Sequence, residues 1–185
     1  MPVVLSKEEV VKILSSIDNI KHKAILMLVY STGLRVKEVV KLKPEDIDSK
    51  RMLVYVKRSK GRKDRYAMLS EMALQMLREY WRLYKPDEWL FEGARKGRHI
   101  STRTVQHILE HACARAGIRK DISVLTLRHS FATHLLESGV DLRYIQELLG
   151  HAHSKTAEIY THVSTKSIGK IKSPLDKLEL KRGRQ

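Results

Sequence analysis

Cysteine, long apolar runs and acidic residues are scarce in this chain, and each scarcity excludes a class of protein. The one cysteine, Cys113, can form neither an internal disulfide nor a cysteine-based zinc site. The longest purely apolar run, Ala24–Tyr30, has seven residues, whereas a membrane-spanning helix needs about 20. Lys7, Glu8 and Glu9 lie where a signal peptide would be apolar, so export is not expected. These features predict a protein of a reducing, cytoplasmic compartment.

The shortage of acidic residues leaves a large positive charge. The 185 residues include 36 lysines and arginines against 21 aspartates and glutamates, a net charge of +15, with an isoelectric point of about 10.0. Hydrophobic residues make up 42%, which suffices for the core of one domain and excludes a disordered chain. The charge favours a polyanionic partner, nucleic acid first and an acidic membrane surface second. The membrane is the poorer candidate because no predicted helix has a basic face opposite a strongly apolar face.

Helical spacing dominates the apolar pattern. Ser6 and Glu9 form a capping box ahead of the first helix, and Ser70 is positioned to cap a later one. Two short β-branched and aromatic stretches, Met52–Val56 and Arg65–Leu69, flank a turn-rich segment and predict a β-hairpin. The expected fold class is therefore α+β, mainly α-helical with a small antiparallel β-sheet.

Basic residues concentrate on this predicted hairpin, where six of the nine positions from Lys57 to Arg65 are positively charged. A β-hairpin is thin enough to enter a DNA groove, where such charges reach phosphates. One basic turn alone would be interpreted as a solvated loop. The chain also has a basic tail and a second basic cluster, which consists of Arg95, Lys96, Arg98 and Arg103. The predicted DNA contacts are Lys57, Arg58, Arg62, Lys63, Arg65 and Arg103.

Four short motifs contain residues of the types that carry out chemistry. Thr32-Gly33-Leu34-Arg35 opens a helix, and Glu38 follows one turn later. The glycine permits a sharp turn that can aim the arginine into a cleft. Further along lie Leu127-Arg128-His129, Leu149-Gly150-His151 and, nine residues after that last histidine, Tyr160.

In order and spacing, these motifs resemble the catalytic domain of the tyrosine recombinases, or phage integrase family, and most of all its Xer and integron branch. The family patterns are T-G-L-R with a following acidic residue, a lysine in a K-G-x-K hairpin, H-x-L-R-H, L-G-H and a tyrosine nine residues later. The hairpin motif here is Lys60-Gly61-Arg62-Lys63. Each pattern is weak alone, but five in the right order are specific. The resemblance covers about Val4 to Val163.

The resemblance implies an enzyme, a site-specific DNA recombinase that cleaves and rejoins DNA strands. Its catalytic residues would be Arg35, Lys60, Arg128, His151 and Tyr160. Tyr160 would attack the phosphodiester and form a covalent 3′-phosphotyrosine, and Lys60 would protonate the leaving 5′ oxygen. The arginines and His151 would stabilise the charged phosphate. No metal and no cofactor is expected, because the phosphotyrosine conserves the bond energy and the histidine spacing matches no zinc pattern.

One position departs from the family pattern. Histidine usually stands three residues before the second arginine, where this chain has Leu125. A leucine can neither donate to a phosphate oxygen nor accept a proton from the nucleophile. The alternative function is therefore a non-catalytic or weakly active DNA-binding module. A third candidate is a topoisomerase-like nicking and closing enzyme, which uses similar chemistry.

The resemblance also predicts domain organisation and partners. Residues 1–165 would form the catalytic domain, and residues 166–185 a basic C-terminal tail. In the family this tail docks on a neighbouring protomer, and in a monomer it would fold back onto its own domain. The N-terminal core-binding domain of the family would be absent. The expected partner is double-stranded DNA, with self-association on DNA into the tetrameric synapse of the family and no membrane contact. We expect the protein in the cytoplasm, associated with the nucleoid.

Overall fold

Seven α-helices and a three-stranded sheet make up the computed structural model, which describes residues 2–57, 63–150 and 171–180. The helices are α1 (Lys7–Ser15), α2 (Ile20–Thr32), α3 (Val36–Val40), α4 (Glu71–Tyr84), α5 (Thr102–Arg115), α6 (Val124–Glu137) and α7 (Leu142–Leu149). The strands are β1 (Ile47–Asp48), β2 (Leu53–Val56) and β3 (Arg65–Met68), and short 3-10 turns span Pro44–Asp46 and Pro174–Lys177. This architecture confirms the predicted fold class.

Helix α2 lies at the centre of the core. Every residue from Ala24 to Thr32 is buried, and the helix packs against α4, α5 and α6. A helix that is apolar on all sides is stable only inside a protein, which explains this position. Asn19 caps its N-terminus, where the Asn19 Oδ1 accepts a hydrogen bond from the His22 amide at 3.1 Å, and Gly33 caps its C-terminus. Across residues 2–57, 63–150 and 171–180, no helix combines the length and apolarity that crossing a membrane requires.

The sheet has the strand order β1–β2–β3 and is antiparallel. The predicted hairpin is present, with Leu53 opposite Met68 at one end and Val56 opposite Arg65 at the other. Strand β1 was not predicted, because two residues are too few to show a periodic pattern. The connection between β2 and β3, residues 57–64, starts and ends at the Val56–Arg65 pair. The strand pairing therefore fixes both ends of the basic segment singled out from the sequence.

The C-terminal segment, residues 171–180, packs against its own chain. Leu175 is fully buried. The Asp176 carboxylate accepts hydrogen bonds from Ser70 Oγ at 2.6 Å and from the first two backbone amides of α4 at 3.2 Å. A carboxylate is favourable there because the N-terminus of a helix carries partial positive charge. Of the two positions expected for the tail, its described part takes the one on its own domain. Docking on a neighbouring protomer stays a prediction.

Candidate functional site

Arg128 lies in helix α6 and is buried, with only 5% of its surface exposed. Its guanidinium donates through Nη1 to the Gly33 carbonyl at 2.8 Å and through Nη2 to the Leu149 carbonyl at 2.9 Å. Gly33 lies 95 residues earlier in the chain and Leu149 lies 21 residues later. A buried charge is stable only when it is well hydrogen-bonded, so Arg128 fastens the end of α2 to the end of α7. Three of the motifs recognised in the sequence therefore meet at this one side chain.

Gly33 makes the sharp turn between α2 and Arg35. Its φ is +66°, in the left-handed region that side chains rarely adopt. A Cβ at this position would lie 2.5 Å from Cδ1 of Phe131 and 2.9 Å from Cδ2 of Leu149. Both the backbone conformation and the lack of space select glycine, and the close approach lets the Gly33 carbonyl reach Arg128.

Arg35 occupies the N-terminal cap of α3, two residues beyond Gly33. The Glu38 carboxylate accepts a hydrogen bond from the Arg35 backbone amide at 2.9 Å, and it lies 3.6 Å from Arg35 Nη1. The Arg35 side chain is 40% exposed and that of Glu38 only 14%. Arg35 thus presents its guanidinium at the surface while Glu38 fixes the backbone that carries it.

Arg65, the first residue of β3, binds the same carboxylate. Its Nη2 donates to the two carboxylate oxygens of Glu38 at 3.2 and 3.0 Å, and its side chain is only 11% exposed. The sequence predicted a DNA contact here because Arg65 ends a run of basic residues. Alternate side chains of a strand point to opposite faces, and Arg65 falls on the face toward α3. The structure therefore holds Arg65 in an internal ion pair, unlike its exposed neighbour Lys63.

A basic cleft of about 540 Å³ opens beside Arg35. Its lining includes Arg35, Lys37, Glu38, Lys41, Lys43, Lys57 and Trp89. Lys43 Nζ lies 5.4 Å from the centre of the Trp89 ring, within range of a cation–π contact. Lys57, a predicted DNA contact, is 56% exposed and lies 3.9 Å from Asp46. Sequence analysis missed the three lysines on and after α3, although their clustering directly behind the Arg35 motif is a signal that could have found them.

A second basic surface surrounds the start of α5. Arg103 is exposed in the first turn of this helix, and the preceding loop exposes Arg95, Lys96 and Arg98. Exposed cations near a helix N-terminus favour an anion, because the backbone amides there add partial positive charge. Among the predicted DNA contacts that the structure describes, the side chains of Lys57, Lys63 and Arg103 are exposed and can reach phosphates, whereas that of Arg65 is largely buried.

His134 joins α6 to α2 and to the segment before α1. Its Nε2 donates to the Leu5 carbonyl at 2.9 Å, so its Nδ1 accepts from the Tyr30 hydroxyl at 2.7 Å. Burial lowers the pKa of His134 from its ordinary value, which keeps the ring neutral. His134 and Phe131 are both buried in α6, so both side chains belong to the packed core.

Comparison with known proteins identifies the family. The Phage integrase family profile matches residues 3–167, nearly the whole chain. The chain belongs to the phage integrase family. A Sinorhizobium fredii protein designated as an integrase/recombinase is 44% identical over 178 residues, which cover 96% of this chain and 58% of that protein. The chain thus spans less than two thirds of this relative.

Solved structures of family members have the same fold. The crystal structure of XerA recombinase aligns with a TM-score of 0.78 at 34% identity, over 91% of this chain and 61% of XerA. XerH site-specific recombinase, in a post-cleavage complex with its palindromic difH substrate, aligns with a TM-score of 0.72 at 31% identity, over 87% of this chain and 50% of XerH. The resemblance to the Xer branch that the motifs indicated is therefore confirmed.

Several family positions fall on residues that the structure does not describe. The predicted catalytic residues Lys60, His151 and Tyr160 lie outside the described residues, as do the predicted DNA contacts Arg58 and Arg62. Of the predicted catalytic set, the structure places Arg35 and Arg128. Within the described ranges, no group of three or more histidine, cysteine, aspartate or glutamate side chains could hold a metal ion.

Leu125, at the position where the family usually has histidine, lies in the first turn of α6. Its side chain is 54% exposed, one helical turn before the buried Arg128. The leucine therefore faces solvent at the edge of the site and fills no gap in the core. A larger polar side chain can be accommodated there without repacking.

Proposed function

We propose that this chain is the catalytic part of a site-specific recombinase, which cleaves strands of double-stranded DNA and rejoins them to new partners. The observation that carries the proposal is the Arg128 guanidinium. It binds the carbonyls of both Gly33 and Leu149, which belong to two different motifs. Gly33 lies two residues before Arg35 in the chain. Membership of the phage integrase family supports the same activity. The DNA-bound state of the related XerH recombinase supports DNA as the substrate.

Tyr160 supplies the nucleophile in this proposal. Its hydroxyl oxygen bonds to the phosphorus of a DNA phosphodiester, and the bond from that phosphorus to the 5′ oxygen breaks. The phenol proton passes to water or to His151, and Lys60 gives a proton to the leaving oxygen. Rejoining reverses these steps with the 5′ hydroxyl of another strand. The phosphotyrosine keeps the bond energy, so the reaction needs neither a metal nor a nucleotide.

Arg35 and Arg128 have different tasks around the phosphate. Negative charge concentrates on the non-bridging oxygens as the nucleophile attacks, and fixed donors stabilise it best in a preorganised site. The partly exposed guanidinium of Arg35 faces the basic cleft and can bind these oxygens directly. Arg128 places its positive charge at the Gly33 turn, which leads to Arg35, and its hydrogen bonds to the Gly33 and Leu149 carbonyls fix its position.

The two basic surfaces hold the DNA backbone. Phosphate contacts come from Lys57, Lys63 and Arg103, from the cleft lysines, and from Arg58 and Arg62 of the hairpin connection. If 6–10 phosphates are neutralised, affinity falls about 10³- to 10⁵-fold between 50 and 200 mM salt. On DNA we expect self-association into a tetrameric synapse, with the protein located at the nucleoid where its substrate lies.

Covalent capture on a nicked duplex tests the proposal. Loss of the short fragment beyond the nick prevents rejoining, so a cleaved strand stays attached to the protein and migrates slowly on a denaturing gel. We expect such a band, formed slowly because Leu125 replaces a histidine, and we expect Tyr160→Phe to abolish it. Tyr144→Phe, at an exposed tyrosine of α7, is the matched control and leaves the band intact. DNA that is bound without any covalent band would instead show a DNA-binding module.

A further inference from the structure

Arg65 is a charged side chain that the proposed chemistry does not use, yet the fold keeps it inside. Its side chain is only 11% exposed, and its Nη2 contacts the two oxygens of a carboxylate that is itself only 14% exposed. An ion pair so shielded from solvent is expensive to form and still more expensive to break on one side. Such a pair therefore calls for an explanation beyond surface charge.

Glu38, the partner of Arg65, is also tied to Arg35. The carboxylate accepts the Arg35 amide at 2.9 Å and lies 3.6 Å from the Arg35 guanidinium, whereas Arg65 lies at 3.0 Å. A carboxylate this close to Arg35 competes with a DNA phosphate for the same guanidinium. Arg65 is the nearer cation and contacts both oxygens, so Glu38 competes less with substrate for the 40% exposed Arg35 side chain. Two cations and one anion also leave the group with a net positive charge.

The position of Arg65 in the sheet links this group to the basic hairpin. Arg65 pairs with Val56 at the end of the β2–β3 ladder, where the connection of residues 57–64 returns to the sheet. Lys60 lies in that connection. The Arg65–Glu38 pair therefore joins β3, which directly follows the connection that contains Lys60, to α3, whose N-terminal cap is Arg35.

We propose that Arg65 is a positioning residue, which binds Glu38 and so keeps Arg35 oriented and available to the DNA phosphate. The inference rests on the proposed function. Without Arg65, the Glu38 carboxylate has Arg35 as its nearby cation and draws that guanidinium away from the substrate. Arg65 then affects the rate of strand cleavage more than the affinity for DNA, in contrast to a phosphate-contacting arginine.

Cleavage rate and affinity are measured separately on the nicked duplex, the first at saturating DNA in a single turnover. We expect Arg65→Met to slow cleavage about 10- to 100-fold, as misplacement of a reacting group does, with the dissociation constant changed less than about threefold. Arg115→Met removes an arginine from an exposed ion pair with Asp18 and serves as the control, with both values unchanged. Arg65→Lys retains the charge and recovers part of the rate.

The double variant Arg65→Met, Glu38→Gln separates positioning from general support of the fold. The glutamine carbonyl can still accept the Arg35 amide, but without a negative charge it competes much less for the guanidinium. We therefore expect the double variant to cleave faster than Arg65→Met alone. A double variant that cleaves no faster than Arg65→Met alone would overturn the inference. So would an Arg65→Met protein that binds DNA weakly and cleaves at the normal rate once saturated.

Amide hydrogen exchange tests the inference about Arg65 by a measurement that does not depend on enzymatic activity. If the unaltered chain binds DNA but forms no covalent product, the proposed function fails. The inference is then judged by amide exchange in residues 33–40, which Arg65→Met should accelerate relative to α5. Equal exchange in the two proteins would overturn it. If Arg65→Met does not fold, Arg65→Lys is judged by the same rate and affinity measurements.

Discussion

Replacing Arg128 by methionine tests whether one buried guanidinium holds the candidate site together. The substitution removes the hydrogen bonds to the Gly33 and Leu149 carbonyls, at 2.8 and 2.9 Å. Hydrogen bonds to a charged group contribute about 1.5–3 kcal/mol each, so the two are worth about 3–6 kcal/mol. Methionine has a similar length and recovers about 1–2 kcal/mol by burying apolar surface. We expect Arg128→Met to lower the free energy of unfolding by about 2–4 kcal/mol.

Equilibrium urea unfolding, followed by circular dichroism, measures this loss. Arg115→Met is the control, because its ion pair with Asp18 is exposed on both sides and such pairs contribute little. For a chain of this size the thermal midpoint of Arg128→Met should also fall by roughly 2–4 °C per kcal/mol. A loss below about 1 kcal/mol, less than one such bond contributes, would refute the anchoring role, as would a loss equal to that of the control.

Three further predictions follow from the site and its support. Gly33→Ala should destabilise the chain by about 2–4 kcal/mol in urea unfolding, because the new Cβ meets Phe131 at a left-handed φ; an unchanged midpoint would contradict this. Leu125→His should raise the covalent capture rate while changing stability by less than about 0.5 kcal/mol, since the position is exposed. No gain in rate would mean that the site works without that histidine. Because burial lowers the pKa of His134, the unfolded chain binds its proton more readily, and stability should fall as pH drops below about 6.5. Unfolding midpoints at pH 8 and pH 5.5 should therefore differ more in the unaltered chain than in His134→Gln.

Local signals in the sequence account for much of the fold. The capping box of Ser6 and Glu9 starts α1, with the Ser6 hydroxyl accepting the Glu9 amide at 3.1 Å. The hairpin strands lie within one residue of their predicted ends. Such features depend on neighbours in the chain, so periodicity and capping residues suffice to predict them.

The partners of the buried charges could not be predicted from the sequence. Arg128 binds carbonyls 95 and 21 residues away in the chain, and no local pattern encodes such contacts. Arg65 looked like one more basic residue of the hairpin, because strand register decides which side chains face α3 and the register emerges only when the sheet packs. The motifs thus located the site, while tertiary packing decided what each charge in it does.

Identification of the residue joined to DNA tests the central claim most directly. The covalent complex from the nicked duplex is digested with nuclease and protease, and the peptide that retains a nucleotide is sequenced by mass spectrometry. The account predicts a single modified peptide with the phosphodiester linkage on the Tyr160 oxygen. A linkage on another tyrosine, or on a serine, would contradict the assignment of the nucleophile and with it the proposed recombinase mechanism.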